Sequence, residues 1–436
     1  MFIIKKLKNN YISFIVLSNL VVFYFLWSFQ NFFNYLSLII ILPFFFLKNI
    51  NLNQVFFFFF FVIFFLIHLL FISPQFFFNE SIYKILFLFV IFLFSLIFKK
   101  HILIEIKKLN YIFFGLLTFS IFINLLNFFI NNNNLSFVSL FSGEACTYRF
   151  FVLRDNFFFK ENSHIGIILS SVYLCTLYKI STYEKSIKLF FLFFYIILIF
   201  LNSSTTFYLS LLISCLIILL TNFNKIDYKF KSYLFLSLIV VLLIIIFERS
   251  CSQRFRHFFP VVRESSQIFI DNKNLNILEN NEARLEKKGE LMNLNLTTQV
   301  YVKSIFITIK SFISYPFGYG FDSYKIVHEK FENEIIYLNQ DVKKYNREDA
   351  SSMFLKLIVE YGFFSFFFFY LIFKYAISDR IDMYAKLFFL PMIISNFIRG
   401  TGYFKAGFLI SAFIIFLLIY EKKINLFIER FIKLAK

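Results

Sequence analysis

The sequence predicts an all-α polytopic membrane protein with about twelve transmembrane helices and one large loop on the outer side. Composition is the first observation behind this prediction, because 59% of the 436 residues are hydrophobic and only 16% are charged. The mean hydropathy of +0.74 is the second. Soluble domains carry about 25% charged residues, so this composition excludes a soluble fold.

Apolar runs long enough to cross a bilayer recur along the chain, since a spanning helix needs about 20 apolar residues. Many such runs follow the first, so the first is predicted to be a true span and not a cleaved signal peptide. The two short runs within 187–221 also fit one hairpin with its tip at 202–204. The predicted spans are 11–28, 32–47, 55–73, 82–98, 111–130, 163–178, 187–201, 205–221, 232–247, 353–373, 383–397 and 405–420.

Basic residues indicate which loops face the cytoplasm, because Lys and Arg are enriched in cytoplasmic loops. When the spans are threaded alternately, one class of loop collects most of them, and both termini belong to that class. The termini are therefore predicted to be cytoplasmic. The loops of this class hold Lys5, Lys6, Lys8, Lys48, Lys99, Lys100, Lys107, Lys108, Lys179, Lys185, Lys188, Lys225, Lys229, Lys231, Lys374, Arg380 and the tail from Lys422 to Lys436.

The predicted organisation has three parts. Residues 1–247 hold helices 1–9 and an outer loop at 131–162, residues 248–351 form a large outer loop, and residues 352–436 hold helices 10–12 and the cytoplasmic tail. The large loop has 15 basic and 14 acidic residues, so nearly all of the net charge of +18 lies in the membrane part. Basic loops there meet anionic headgroups. Topology thus explains the charge, and nucleic-acid binding is not expected.

The large loop is predicted to contain an amphipathic helix near 302–313, lying on the outer membrane interface. Lys303, Lys310 and Ser311 fall on its polar side. Pro316 then ends the helix, and Gly318 and Gly320 permit a sharp turn. The apolar residues with three- and four-residue spacing are Val302, Ile305, Phe306, Ile309, Phe312 and Ile313.

Two further patterns leave alternatives open. Lys356 and Glu360 are one turn apart in the tenth span, which predicts an i,i+4 ion pair or a functional carboxylate. Cys146 and Cys251 both fall in outer loops, where an oxidising compartment permits a bridge, but their spacing does not decide between a bridge and two free thiols.

Arginine is concentrated in the outer loops, whereas Lys dominates the cytoplasmic ones. The planar guanidinium suits paired hydrogen bonds to phosphate, so these arginines are predicted to bind a diphosphate at headgroup level. The alternative is that they contact lipid headgroups or pair with loop acids. The candidates are Arg149, Arg154, Arg254, Arg256 and Arg263.

Glu161 and His164 lie three residues apart at the start of the sixth span and would share one helix face. Near a diphosphate, either side chain could take the proton of an attacking hydroxyl, so both are candidate catalytic residues. The alternative is that the pair caps and hydrates the helix end. No metal-ligand spacing, Walker loop or dinucleotide fingerprint is present in the sequence, so no metal or cofactor is expected.

Four segments between Arg149 and Phe366 together resemble the O-antigen polymerase and O-antigen ligase superfamily of bacterial envelope proteins. "RDNFFFKENSHIGIIL" is similar to an Arg, a Phe-rich stretch and Glu-Pro-Ser before a span, with Asn162 in place of Pro. "LNSSTTFYLSLLIS" resembles the next span entry. "YPFGYGFDSY" is similar to the Pro-x-Gly-x-Gly of the large loop, and "SSMFLKLIVEYGFFSF" to the following span entry with Glu-x-Gly.

The resemblance implies a multi-span membrane glycosyltransferase of the C-type architecture in the bacterial inner membrane. Members act at the periplasmic face on glycans carried by undecaprenyl diphosphate, and no metal is needed if arginines neutralise the leaving diphosphate. Membrane lipids are implied partners, as are flippase and chain-length regulator proteins. Ligases generally place a His followed by Asn, Ser or Gln ten residues before the Gly aligned with Gly362, and in this chain those two positions are Ser351 and Ser352. The departure favours a polymerase and leaves Glu161 or His164 as the base.

A transporter, for instance a flippase for the same lipid-linked sugars, is the alternative from another functional class. A total of twelve spans would suit a transporter. Transporters commonly show repeated halves, however, and none is visible in the sequence. The spans are nearly free of charge, and a loop of about a hundred residues is unusual for transport.

Overall fold

The computed structural model describes residues 2–24, 63, 79–131, 162–181, 188, 204–251, 296–332, 342, 345–400, 402–403 and 406–420. Within these ranges the regular secondary structure is helical, as predicted. The helices are α1 (Phe2–Tyr24), α2 (Asn79–Asn131), α3 (Asn162–Ile180), α4 (Thr205–Asn222), α5 (Tyr228–Cys251), α6 (Leu296–Ser314), α7 (Tyr324–Phe331), α8 (Met353–Tyr361), α9 (Ser365–Ile377), α10 (Met383–Ile398) and α11 (Phe408–Tyr420).

Four segments are long and apolar enough to cross a membrane: Phe87–Phe113, Thr205–Lys225, Tyr228–Ile246 and Met353–Ile377. Shorter apolar helices coincide with the predicted spans at 11–28, 163–178, 383–397 and 405–420. The predicted spans 32–47, 55–73 and 187–201 lie outside the described residues except for Ile63 and Lys188. The structure is therefore that of a helical membrane protein, and the total of twelve spans stays a prediction.

One predicted loop is helical in the structure. The spans predicted at 82–98 and 111–130 belong to one continuous helix, α2, of 53 residues. The intervening segment "KKHILIEIKKLN" contains neither Gly nor Pro, and its Lys, Leu, Ile and Glu residues are compatible with a helix. Lys108 lies 3.1 Å from Glu105 on the next turn, and Asn110 donates to Thr176 of α3 at 3.1 Å. These charged and polar side chains are thus accommodated within a helix.

Helix α10 is the centre of the membrane bundle, because every residue from Tyr384 to Asn396 is buried. Small polar residues connect it to α3, where the Ser170 and Ser395 hydroxyls are 3.0 Å apart and Ser171 donates to the Phe388 carbonyl at 2.7 Å. Such hydroxyls are typical of close helix packing in membranes. The main core therefore includes α3, α4 and α10.

Contacts at the two ends of the bundle agree with the predicted loop classes. At one end, Lys225 pairs with Asp379, and Lys386 Nζ donates to Asn222 Oδ1 at 2.7 Å. This end has the loops predicted to be cytoplasmic and is called the inner end. The other end, where Lys84 of α2 contacts Asp322 of the large loop, is called the outer end.

Helix α6 confirms the helix predicted near 302–313, but its polar face is not solvated. Lys303 is fully buried, and its Nζ donates to the Val342 carbonyl at 3.0 Å. Phe306 and Ile307 are also buried and contribute to a second core that includes residues of α7 and α8. Helix α6 thus packs against protein on both of its faces. Its apolar face contacts α7 and α8, and Lys303 on its polar face is bonded to the Val342 carbonyl.

The predicted straight span 353–373 is sharply bent. A 3₁₀ turn over Gly362–Phe364 separates α8 from α9. The rings of Phe354 and Phe369 have centroids 4.9 Å apart, whereas fifteen residues of straight helix would separate their Cα atoms by about 22 Å. Gly362 permits the bend, because its φ is +53° and a Cβ there would overlap the carbonyl oxygen of Pro316.

Replacing this glycine tests the bend. Gly362→Ala is expected to lower the free energy of unfolding by about 1–3 kcal/mol, because Ala is strained at positive φ and has no room there. The measurement is thermal unfolding of the purified protein in detergent. Gly115→Ala in α2 is the matched control, since a Cβ at Gly115 meets nothing within 4 Å. Equal melting temperatures for the two variants would contradict the bend.

Candidate functional site at the outer end

The segment 316–322 of the large loop docks onto the end of α8 through backbone hydrogen bonds. Tyr319 N donates to the Val359 carbonyl at 3.1 Å, and Gly320 N donates to the Glu360 carbonyl at 2.9 Å. In the opposite direction, Phe363 N donates to the Pro316 carbonyl at 2.9 Å. The segments "YPFGYG" and "VEYG" are about forty residues apart in sequence, yet their backbones fit directly together.

The carboxylate of Glu360 holds this docked segment in place. Glu360 is fully buried, and its Oε2 accepts hydrogen bonds from Asp322 N at 2.9 Å and from the Tyr403 hydroxyl. Its Oε1 accepts from Tyr324 N at 3.3 Å and lies 3.8 Å from Lys356 Nζ. The ion pair expected from the i,i+4 spacing is confirmed. The same carboxylate also joins the large loop to the connection between α10 and α11.

Lys356 and Asp322 extend the charge network. Lys356 is 3% exposed, and its Nζ donates to the Glu348 carbonyl at 2.7 Å while lying 3.7 Å from Asp322 Oδ1. The Lys356 ammonium also lies 5.0 Å from the Tyr403 ring centroid. We call Lys84, Asp322, Lys356, Glu360 and Tyr403 the outer junction. Each charge in it has an opposite charge or a hydrogen-bond partner, as buried charges require.

The tyrosine of the outer junction is held in its protonated form. Burial and the neighbouring Glu360 carboxylate raise the pKa of Tyr403 well above its usual range. Its hydroxyl therefore remains a hydrogen-bond donor to Glu360 at neutral pH. With both Glu360 oxygens engaged, this carboxylate is suited to positioning the loop rather than to accepting a proton from a substrate.

Ser351 and Ser352, the two positions at which the sequence resemblance would place a ligase His and the residue after it, are both buried. Ser352 caps α8 by accepting from Leu355 N at 3.5 Å, and its hydroxyl donates to the Phe397 carbonyl. The Ser351 carbonyl accepts from Gly400 N at 3.0 Å. Both serines therefore connect α8 to the end of α10, and neither position offers an imidazole.

His328 belongs to a separate cluster in the outer loop. The fully buried ring of His328 places Nδ1 3.1 Å from Glu332 Oε2, and Arg347 Nη2 lies 3.0 Å from the other oxygen of that carboxylate. Burial, Lys303 and Arg347 together lower the pKa of His328 to about 3. The imidazole is neutral and enclosed, so His328 does not replace the missing ligase His.

Most of the sequence-predicted site residues lie outside the described residues. His164 is in the first turn of α3, which confirms that a helix begins there. Cys251 ends α5 and Cys146 lies outside the described residues, so the choice between a Cys146–Cys251 bridge and two free thiols is not tested. Cys175 and Cys215 are buried free thiols. In the part that the structure describes, no three metal-ligating side chains converge. The candidates outside that part are Cys146, Arg149, Arg154, Glu161, Arg254, Arg256 and Arg263.

A double-mutant cycle tests the outer junction. Glu360→Gln and Tyr403→Phe each remove one side of the buried contact, so their effects on the free energy of unfolding are expected to be non-additive by about 0.5–3 kcal/mol. Thermal unfolding of both single variants, the double variant and the parent gives this coupling. Glu329→Gln, at an exposed position of α7, is the control and is expected to add independently to Tyr403→Phe. Additivity of Glu360→Gln with Tyr403→Phe would contradict the contact.

The buried His328 predicts a pH dependence of stability. Its folded pKa of about 3 lies below the unfolded value of about 6.5, so the unfolded state binds more protons between these values. Below pH 6.5 the free energy of unfolding should therefore fall by up to about 1.4 kcal/mol per pH unit, with no contribution above it. Unfolding measured at pH 7.5 and 5.5 is expected to show a smaller difference for His328→Gln. An unchanged difference would count against a neutral buried imidazole.

Comparison with known proteins identifies one family. Residues 190–370 match the model of the O-Antigen ligase family. The match includes the docked loop segment, the two serines and Glu360, but not Glu161, His164 or Tyr403. No curated protein and no solved structure matches the chain. The family match supports the resemblance to the O-antigen ligase and polymerase superfamily, and the chain is a multi-pass helical membrane protein whose residues 190–370 are similar to the O-Antigen ligase family.

Proposed function

We propose that this protein polymerises oligosaccharide repeat units carried on undecaprenyl diphosphate into O-antigen, capsule or exopolysaccharide. The family match supports an O-antigen ligase or polymerase-like membrane enzyme acting on lipid-linked glycans. In the proposed orientation, the protein lies in the bacterial inner membrane with both termini cytoplasmic. The outer junction and the large loop then face the periplasm.

The observation that favours a polymerase over a ligase is the pair Ser351–Ser352. These serines stand where the resemblance places a ligase His and the residue after it. The Ser351 hydroxyl accepts hydrogen bonds from Ser304 at 3.5 Å and from Asn346 at 2.9 Å, while the Ser352 hydroxyl caps α8 and donates to the Phe397 carbonyl. An imidazole at Ser351 would have to replace a buried hydroxyl. This part of the chain is thus built for packing and not for proton transfer.

The proposed reaction transfers one growing chain to a second lipid-linked repeat. The bond between the anomeric carbon and the diphosphate oxygen of the donor breaks, and undecaprenyl diphosphate leaves with the bonding electrons. A hydroxyl of the acceptor sugar forms the new bond to that carbon and gives its proton to Glu161 or His164. Arg154 and an arginine from the 254–263 cluster stabilise the negative charge of the leaving diphosphate.

Arginines can neutralise the diphosphate without a metal, so the proposed transfer is metal-independent. The outer junction contributes positioning. It attaches residues 316–324 to α8 and to the α10–α11 connection. This part of the large loop is thereby held over the outer end of the bundle. Flippase and chain-length regulator proteins are proposed partners that supply the repeat units and set the final length.

The second candidate function is ligation of finished glycan to lipid A–core, which the description of the matched family favours. A flippase for the same lipid-linked glycans is the candidate from another class. The three activities leave different intermediates, so one gel distinguishes them.

The test is a deletion strain complemented with the parent, Arg154→Ala or Glu161→Ala, with the surface polysaccharide resolved on a gel. Loss of the ladder with single repeat units still exported is expected in the deletion strain. Arg154→Ala is expected to reduce polymer at least tenfold, since a charge-stabilising donor contributes about 10²–10³ in rate. Arg380→Ala is the control, because Arg380 is exposed at the inner end.

Other outcomes contradict the polymerase. Lipid-linked polymer that accumulates without reaching its acceptor would identify a ligase. Repeat units that remain on the cytoplasmic side would identify a flippase.

A further inference from the structure

Five consecutive exposed residues, Ile313–Phe317, follow the buried part of α6, and we call them the loop tip. Four of the five are Ile, Tyr, Pro or Phe, so the large loop presents mainly apolar side chains here. Ile313 is 63% exposed and Phe317 is 57% exposed. The next three residues, Gly318–Gly320, are buried where they dock onto α8. The loop tip is therefore an apolar projection that a docked backbone holds in place.

Aromatic rings connect the loop tip to the start of α9. The ring centroid of Phe317 lies 6.2 Å from that of Phe363 and 6.2 Å from that of Phe364. Phe312 of α6 lies on the other side of Phe317's partner, with its ring centroid 5.0 Å from that of Phe363. Phe363 is itself exposed and lies 6.4 Å from Phe366. The apolar surface thus continues from the loop tip onto α9.

Helix α9 carries this exposed apolar surface along its length. Its exposed residues recur at three- and four-residue spacing, which places them on one helix face. The helix belongs to Met353–Ile377, a segment long and apolar enough to cross a membrane, so this face is turned to lipid. The loop tip adjoins the outer end of the face. The residues of the face are Phe366, Phe367, Tyr370, Phe373 and Ile377.

We propose that the loop tip inserts into the bilayer leaflet at the outer end of the bundle and anchors the large loop to phospholipid. Aromatic side chains suit the boundary between headgroups and acyl chains. Lys330 of α7 lies beside the tip, with its Nζ 5.5 Å from the Tyr315 ring centroid, so its ammonium is placed to meet headgroup phosphates. Insertion also removes the exposed surface of Ile313 and Phe317 from water, which is favourable.

The anchor fixes the outer junction relative to the bilayer. The loop tip leads directly into Gly320 and Asp322, whose backbone N–H groups bond to the carbonyl and the carboxylate of Glu360. The large loop is thus held at two adjacent points, by lipid at the tip and by α8 at the docked segment. This arrangement does not depend on which glycan reaction the protein performs.

The experiment places a tryptophan in the loop tip of the full-length protein and quenches its fluorescence with brominated phospholipid. The chain has one tryptophan, Trp27, so a Trp27→Phe background removes the native signal. Phe317→Trp and Ile313→Trp are compared in phosphatidylcholine–phosphatidylglycerol liposomes with and without bromine in the upper part of the acyl chains. Bromine is expected to lower the emission of each reporter at least twofold, because quenching requires contact with the lipid.

Tyr345→Trp in the same background is the matched control. Tyr345 is also an aromatic residue of the large loop and is 50% exposed, but it lies on the polar side of α6, where its carbonyl accepts from Lys303. Its emission is expected to fall by less than one fifth. Equal quenching of this control would overturn the proposal, because the whole loop would then lie on the membrane and the tip would have no particular role.

The unmodified protein provides a check that needs no substitution. A phospholipid with a diazirine at the top of its acyl chain is expected to label peptides that contain Ile313–Phe317. Absence of this label together with unquenched emission from both tip reporters would overturn the proposal. Quenching of the reporters by iodide in the aqueous phase would then identify water at the surface, and a crosslinked dimer through the tip would identify a second copy of the chain.

Discussion

The compensation of one buried negative charge determines how the outer part of this protein is arranged. A carboxylate out of water is costly unless it is paired and hydrogen-bonded, and Glu360 is fully buried. Its partners come from three places: backbone N–H groups of the large loop, Lys356 one turn away, and Tyr403 after α10. Because these segments are distant in sequence, satisfying the carboxylate requires that they assemble together.

The bend beside Glu360 links this assembly to the helix bundle. Gly362 accepts a backbone conformation and a closeness to Pro316 that residues with a Cβ do not tolerate, so the docked loop and the bend stabilise one another. The bend then turns α9 beneath the start of α8, where Phe369 packs against Phe354 and Phe397. The polar junction above and the aromatic packing of α9 on α10 below are therefore consequences of the same local geometry.

Patterns over a few neighbouring residues predicted helices and the i,i+4 pair. They did not predict contacts between residues that are distant in sequence. Within the described residues, hydropathy located the apolar helices, periodicity located α6, and the i,i+4 spacing located the Lys356–Glu360 pair, whereas α7 was not predicted. The burial of Lys303 and the donor Tyr403 were missed, because their partners lie about forty residues away and no spacing encodes them. The continuity of α2 was missed because charged residues in a helix and in a loop have similar hydropathy. Asp322 lies in "YGFDSY", and the similarity of this segment to the Pro-x-Gly-x-Gly of the large loop was only a weak signal for that residue.

The most direct measurement of the central claim is reconstitution of the purified protein in proteoliposomes with a lipid-linked repeat unit and EDTA. The account predicts a series of lipid-linked oligomers of increasing length and release of undecaprenyl diphosphate, with no other protein and no metal. Glycan transfer only when lipid A–core is added, or movement of the repeat unit across the bilayer without elongation, would contradict it.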